Sequence, residues 1–342
     1  MSSVDVIIPC YRYGHFLREC VESVLTQSGP TVRILIIDDA SPDDTAEIAE
    51  DLACRDERVR FLKHVSNMGH IATYNEGIAW ASADYMVLLS ADDYLLPDAL
   101  RRSAELMDRY PSVGFTFGRA IPLDHGEEIK PSADLGATVG TRIFTGLDFI
   151  ELSGARNVVL APSVMVRTAL QKKLGGYAPE LTHSGDMEMW LRFAAHGCVG
   201  FLDTDLAVYR RHATNMSRGY SPEQDLRQRK AAFDHFFSRC SEVLEDAPTL
   251  RRSLLLRLAC DAVGCASRAF NEDNMDLSRR LSEHAVELDP RVKQSLAWFF
   301  LNCKWRLGFR VWRLLKPAAD YVKSMASVFS RLLRRTEQVQ QT

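Results

Sequence analysis

The sequence predicts an α/β protein, a Rossmann-like, mainly parallel mixed sheet sandwiched by helices and followed by an all-helical C-terminal region. Three observations predict it. Short β-rich runs alternate with helical stretches from Val4 to about Phe117. The C-terminal ends of those runs read "IPCYRYGH", "IIDDASPDD", "HVSNMGH" and "LLSADDY", all polar, at the edge where open α/β sheets take their ligands. From about Ser221 to Leu288 the strand signals stop and the pattern is helical.

In chain order, the strands are read in "VDVIIP" (4–9), "VRILIID" (32–38), "VRFLKH" (59–64), "YMVLLS" (85–90) and "VGFTFG" (113–118). Each is a short apolar or β-branched run suited to burial on both faces. Between them, "FLRECVESVLTQ" (16–27), "PDDTAEIAEDLAC" (42–54), "GHIATYNEGIAWAS" (69–82) and "PDALRRSAELMDRY" (97–110) carry helical spacing. Two of these open on Pro followed by acidic residues, which suit a first turn. Residues 119–140 read as a loop. Helix and strand resume through "FTGLDFIELSG", "APSVMVRTAL" and "SGDMEMWLRFAAHG" to "VGFLDTDLAVYRRHATNMS". The stretch "ASRAFNEDNMDLSRRLSEHAVELDP" has the small-residue spacing of one tetratricopeptide-like helix pair, and a single copy reads as packing, not as a solenoid.

At 342 residues, 46% hydrophobic and 25% charged, the chain has room for about two globular domains of roughly 150 residues. The net charge of -3 hides an asymmetry: residues 291–335 hold eleven Lys or Arg against one acid, Asp320, so the remainder carries -13. The expected organisation is an α/β domain at 1–220, a helical extension at 221–290 and basic, aromatic-rich amphipathic helices at 291–342. The eight cysteines are scattered, with no CxxC pair, as expected of free thiols in a reducing cytosol. Met1 runs almost directly into a strand, and no stretch reaches the ~18 apolar residues of a spanning helix. A cytoplasmic protein is therefore expected. No GxGxxG follows the first strand and no GxxxxGK[ST] occurs, which removes the dinucleotide-binding and P-loop fingerprints.

Five motifs, in order, are "VIIPCYR" (6–12), "IIDDASPDDT" (36–45), "NMGHIATYNEG" (67–77), "LLSADDYLLP" (88–97) and "GDMEMWLRFAAHG" (185–197), with "YRRHATNMS" (209–217) as a sixth. With them the chain from about Val4 to Ser217 resembles the family 2 inverting glycosyltransferases, whose nucleotide-sugar-binding fold is called GT-A. The resemblance implies transfer of a sugar from a nucleotide-diphosphate donor, a UDP-sugar, to a hydroxyl acceptor in polysaccharide or glycolipid biosynthesis. It also implies a divalent cation, Mn²⁺ or Mg²⁺, to neutralise the diphosphate leaving group.

Residue by residue, the resemblance places Asp93 on the metal and Asp92 near the donor's ribose hydroxyls and diphosphate. Asp39 is expected to hydrogen-bond the nucleobase, with Asp38 holding the loop, although Asp at a strand end before "SPDDT" is also a good turn and helix cap. Pro9 and Tyr11 would shape the base pocket. Asn67 and Gly69, then Asn75 and Gly77, would bring backbone and amides close to the nucleotide. Asp186 stands where the family's general base stands, the group that takes the acceptor's proton; an acid opposite the helix dipole would look the same. His212 resembles the histidine that completes the metal shell in some relatives. Trp190 reads as helix packing or as the floor of the acceptor site, with packing favoured. Three positions depart from the family pattern: Tyr74 where many members have Arg, Ser90 where the acidic signature has a carboxylate, and Gly185 where many have Glu.

The processive-synthase motif QxxRW is absent, so one sugar per encounter is expected. In the tail, Trp298, Trp305 and Trp312 recur every seven residues in a stripe with Leu301 and Phe309, and Leu296, Phe300, Leu307 and Leu314 lie opposite. One face is expected to dock on the body and the other in a membrane interface beside Arg306, Arg310 and Arg313, which would suit a lipid-linked saccharide acceptor at the inner face of the plasma membrane. After Pro317, "DYVKSMASVFSRLLRR" is amphipathic as well; a solvated basic face or a homodimer helix is the alternative. No nucleic-acid-binding motif is present. Two rivals stand beside the transferase: a sugar-1-phosphate nucleotidyltransferase, which "PCYRYGHF" with its single Gly disfavours, and a non-catalytic sugar-nucleotide-binding or scaffold protein.

Overall fold

Among the residues that the computed structural model describes, 2–124 and 140–315, nine strands join in one mixed sheet. They are β1 (Ser3–Cys10), β2 (Thr31–Asp38), β3 (Val59–Lys63), β4 (Tyr85–Leu88), β5 (Tyr94–Leu95), β6 (Val113–Asp124), β7 (Thr141–Phe144), β8 (Met165–Arg167) and β9 (Cys198–Arg211). Their order is β3-β2-β1-β4-β8-β6-β9-β5, with β7 also paired to β9. Strands β1 to β4 are parallel, β6 and β9 are parallel, and β5, β7 and β8 run against their neighbours.

The centre of the sheet follows from β1, whose Val4, Val6, Ile7 and Ile8 are fully buried, as a strand covered on both faces requires. Helices α1 (Gly14–Leu25), α2 (Thr45–Arg55), α3 (His70–Trp80) and α4 (Ala99–Arg109) connect the first strands. Helix α3 lies so close to the sheet that a Cβ on Gly77 would come within 2.3 Å of Ile7 Cγ2. Gly77 therefore serves helix–strand packing, not the nucleotide approach expected of it.

The expected strand at 85–90 ends at Leu88. Leu89 still donates to Ile7 O at 2.9 Å, and Asp93 N closes a turn on Ser90 O at 3.0 Å. That turn frees Asp92 and Asp93 from the sheet. The short β5 then pairs Tyr94 with Val208 of β9, so the last residues of β9 and His212 come back beside the two acids. The expected loop at 119–140 begins later than predicted, because β6 keeps pairing with β9 as far as Asp124 and Arg211.

Helices α5 (Gly146–Ser153), α6 (Thr168–Leu174), α7 (Gly185–Ala194) and α8 (Pro222–Cys240) follow. Ser221 and Gln224 start α8 with a reciprocal capping box. The chain forms two compact units, Met1–Arg251 and Arg252–Thr342. The division falls within α9 (Ala247–Asn271), whereas the sequence pattern suggested boundaries at 220 and 290. In the second unit, α10 (Met275–Leu288) and α11 (residues 296–315) pack with the rest of α9. Here the expected aromatic stripe faces inward. Leu301 is fully buried, Trp305 donates to Ser278 Oγ and Trp312 to Asn271 Oδ1, both at 3.1 Å, and Phe309 meets Phe270 edge-on. The amphipathic stretch expected after Pro317 lies outside the described residues.

Candidate active site

The C-terminal ends of β1, β2, β3 and β4 carry the polar residues that the sequence singled out. Asp39 follows β2 and is buried. Its Oδ1 accepts from Met68 N at 2.7 Å and its Oδ2 from Gly69 N at 2.9 Å, which folds the Asn67–Gly69 turn onto the end of β2. Asn67 Oδ1 accepts from the same Gly69 N at 3.1 Å. Asp38 caps the next turn through Ser41 N, at 2.9 Å from its Oδ1, while its buried Oδ2 has no partner. Loop-holding was expected of Asp38 alone. Asp39 carries most of it here, since two amides and a histidine converge on its carboxylate.

That histidine is His64, which no motif singled out. Its Nδ1 lies 2.7 Å from Asp39 Oδ1 and its Nε2 2.6 Å from Glu76 Oε2. Burial disfavours its charge, but the hydrogen bonds to the two carboxylates prevail and hold its pKa above 6.5. Pro9 lies in β1, and Tyr11 just beyond it is 40% exposed with the Arg12 guanidinium over its ring. The end of β2 therefore carries a rigid, hydrogen-bonded floor.

The second cluster is built on Asp92 and Asp93, both buried. Asp92 Oδ2 lies 3.0 Å from His212 Nε2 and accepts from Asn215 Nδ2 at 3.4 Å. His212 is fixed in turn by Thr214 Oγ1 at 2.8 Å from Nδ1, by the Tyr13 ring at its edge and by the Phe16 ring stacked on it. Asp93 turns the other way: its Oδ1 accepts from Arg210 N at 2.9 Å, bracing β9. Burial and the neighbouring Asp92 charge push the Asp93 carboxyl well above the usual carboxylate range.

Metal binding was expected of Asp93 with His212, and sugar contact of Asp92. His212 lies on Asp92 here, and one oxygen of Asp93 accepts from backbone. Among the described residues no group of three or more His, Cys, Asp or Glu converges as a complete metal site. Asp92 and His212 are of the residue types that ligate divalent cations, and both are steadied from behind.

The third cluster centres on Asp186, the expected base. Asp186 opens the first turn of α7, and burial raises its pKa despite the hydrogen bond from Tyr177 and the proximity of His183. Tyr177 Oη donates to Asp186 Oδ1 at 3.1 Å. Tyr177 is held by Asn75, whose Oδ1 accepts from Tyr177 N at 2.7 Å and whose Nδ2 donates to Tyr177 O at 2.9 Å. Both polar groups of Asn75, expected on the donor, are therefore engaged in placing the residue that steadies Asp186.

The three departures from the family pattern meet at this point. Tyr74 packs edge-on against Tyr177, with ring centroids 5.5 Å apart, and its hydroxyl lies near the Ser90 side chain. A Cβ at Gly185 would stand 3.0 Å from the Tyr177 ring, so any larger residue there would press the ring out of place. Burial, then the charges of Asp186 and Asp92, raise the Tyr74 pKa. Trp190 is core, as expected, stacked on Phe115.

Comparison with known proteins gives the family. The family profile described as Glycosyl transferase family 2 matches residues 5–171. The uncharacterized glycosyltransferase EpsJ of Bacillus subtilis is 36% identical over 332 residues, covering 90% of this chain and 94% of that one. The uncharacterized protein MT1568 of Mycobacterium tuberculosis is 30% identical, covering 66% and 73%. Among solved structures, residues 1–349 of S. aureus TarS in complex with UDP-GlcNAc superpose with a TM-score of 0.54 at 17% identity, covering 82% of this chain and 90% of that chain. The mannosyltransferase PcManGT of Pyrobaculum calidifontis, in complex with GDP-Man and Mn2+, gives 0.50 at 12% identity, covering 85% and 87%. At such identities the structural likeness speaks for the GT-A fold. Motif order, profile and full-length relative together make this chain a member of glycosyl transferase family 2, a glycosyltransferase.

Proposed function

We propose that the enzyme is an inverting glycosyltransferase that moves one sugar per encounter from a nucleotide-diphosphate donor to a hydroxyl acceptor. The observation that carries this reading is the Asp186 carboxylate at the start of α7, held by Tyr177 Oη, in the same unit as the Asp92–His212 pair. A carboxylate to take a proton and a pair suited to the leaving group's cation are the parts a direct displacement needs.

Asp39 and the Asn67–Gly69 turn, with Pro9 and Tyr11, form the nucleobase end. Asp92 and His212 would hold Mn²⁺ or Mg²⁺, which supplies positive charge for the departing diphosphate. Asp186 accepts the acceptor's O–H proton as that oxygen bonds the anomeric carbon, and the bond from that carbon to the diphosphate oxygen breaks. Partial burial suits Asp186 to this task, because a carboxylate short of solvation is a stronger base. The complexes of TarS with UDP-GlcNAc and PcManGT with GDP-Man and Mn2+ support a nucleotide-sugar donor and a metal. We read the donor as a UDP-sugar and the acceptor as a lipid-linked saccharide in polysaccharide or glycolipid assembly. The eight free cysteines suit a reducing, cytoplasmic compartment.

The test is sugar transfer and donor binding with Mn²⁺ or with chelator. Asp186→Asn should lower turnover by about 10²- to 10⁴-fold, the usual worth of a general base, with donor affinity kept. Unchanged turnover in that variant would remove Asp186 from the mechanism, and metal-independent transfer would remove the cation.

A further inference from the structure

Within its own unit, α11 has two opposite apolar faces, and the packing uses one. The tryptophan face is spent on α9 and α10, down to Lys304, which is buried and bonds Ser267 Oγ at 2.7 Å and Asn271 Oδ1 at 2.9 Å. The other face points outward: Leu296 is 76% exposed, Phe299 60%, Phe300 56% and Leu314 82%, with Leu307 and Val311 between them above 40%. Single exposed apolar side chains are ordinary, but a stripe that runs the length of a helix marks an interaction surface.

Its charge says what kind. Residues 291–315 contain six Lys or Arg and no acid. Arg306, Arg310 and Arg313 are exposed on the same helix. A second copy of the chain meeting this face across a two-fold axis would set arginine against arginine. Residues 316–342, with five Lys or Arg against Asp320 and Glu337, would also bring like charge. A surface of lipid phosphates would neutralise it.

We propose that the outward face of α11 lies in the headgroup region of an anionic bilayer, its Leu and Phe side chains at the acyl boundary and its arginines on lipid phosphates. No helix among the described residues is long and apolar enough to cross a membrane, so α11 lies along the surface. The inference gives a lipid-linked acceptor a purpose but does not depend on glycosyl transfer.

The full-length protein is floated with vesicles of phosphatidylglycerol and phosphatidylcholine, and with phosphatidylcholine alone. Wild type should bind the anionic vesicles at least about tenfold better, with the advantage lost in high salt. Phe300→Glu/Leu314→Glu, which touches exposed positions only, should lose binding to both vesicles by about tenfold or more. Arg306→Gln/Arg310→Gln/Arg313→Gln should lose the anionic preference. Undiminished flotation of both variants would overturn the proposal, since it would move binding beyond residue 315. A wild-type dimer that fails to float, and that the glutamate variant turns into a monomer by light scattering, would overturn it in favour of a second copy. Donor-induced thermal stabilisation, measured alongside, should be equal in all three proteins. Its absence would count against the transferase reading and leave the membrane result intact.

Discussion

Tyr177→Phe isolates one hydrogen bond at the centre of the proposed mechanism. Phenylalanine keeps the ring that packs on Tyr74 at 5.5 Å and loses only the hydroxyl that donates to Asp186 at 3.1 Å. A hydrogen bond to a charged group is worth about 1.5–3 kcal/mol, and 3.1 Å is long for one, so the lower figure applies. About 1.4 kcal/mol is tenfold in an ionisation equilibrium. Burial already raises the Asp186 pKa, and the Tyr177 hydroxyl opposes that rise by favouring the ionised form. Its removal must therefore push the acidic limb of the kcat/KM profile to higher pH, by about one unit. On the alkaline plateau the variant should approach wild-type turnover. Donor affinity, measured separately, should not move. A uniform drop in activity with the limb unmoved would refute the reasoning, because it would make Tyr177 a packing residue alone.

Other perturbations separate the remaining roles. Asp92→Asn should lose metal-dependent donor binding by at least about tenfold, while Asp93→Asn, which still accepts from Arg210 N, should keep it within about threefold; the reverse result in Mn²⁺ titrations would restore Asp93 as the ligand. His64, whose pKa is held above 6.5 in the folded state, adds stability that is full below 6.5 and is lost as pH rises through the folded value. Melting curves of wild type and His64→Gln should therefore converge as the pH climbs past that value. Gly77→Ala forces a Cβ to within 2.3 Å of Ile7 Cγ2 and should cost about 1–3 kcal/mol, read as a fall in chemical-denaturation midpoint with no change in slope.

The parallel half of the sheet was legible because its strands are apolar on both faces and its helices alternate with them, a pattern that survives in one dimension. The outline of the candidate site was legible for a related reason, since open α/β sheets take ligands at the carboxyl ends of their strands and here those ends are the polar ones. Orientation was not. Two adjacent aspartates point different ways only because the two-residue β5 catches β9, and a strand of that length leaves no periodicity to read. Asn75 looked like a nucleotide contact because spacing shows which helix it occupies but not which side faces Tyr177. Tyr177 itself was within reach: in "GGYAPELTHSGD" it stands nine residues before the proposed base, after two glycines. A buried aromatic with a hydroxyl needs a partner, and Asp186 is one. His64 gave no signal, because its role depends on two carboxylates that are distant in the chain.

The placement of tryptophans governs how the protein can be watched. Of the five, Trp298, Trp305 and Trp312 belong to the second compact unit, and only Trp80 and Trp190 report on the first. Intrinsic fluorescence is therefore weighted toward the helical unit, whereas the residues proposed to hold the donor all lie in the other. A bound nucleotide sugar stabilises the unit that holds it, so a melt followed at tryptophan wavelengths will understate ligand binding wherever the two units unfold separately. Replacing Trp298, Trp305 and Trp312 with phenylalanine would leave the Trp190 indole, stacked on Phe115, as a reporter inside the catalytic sheet.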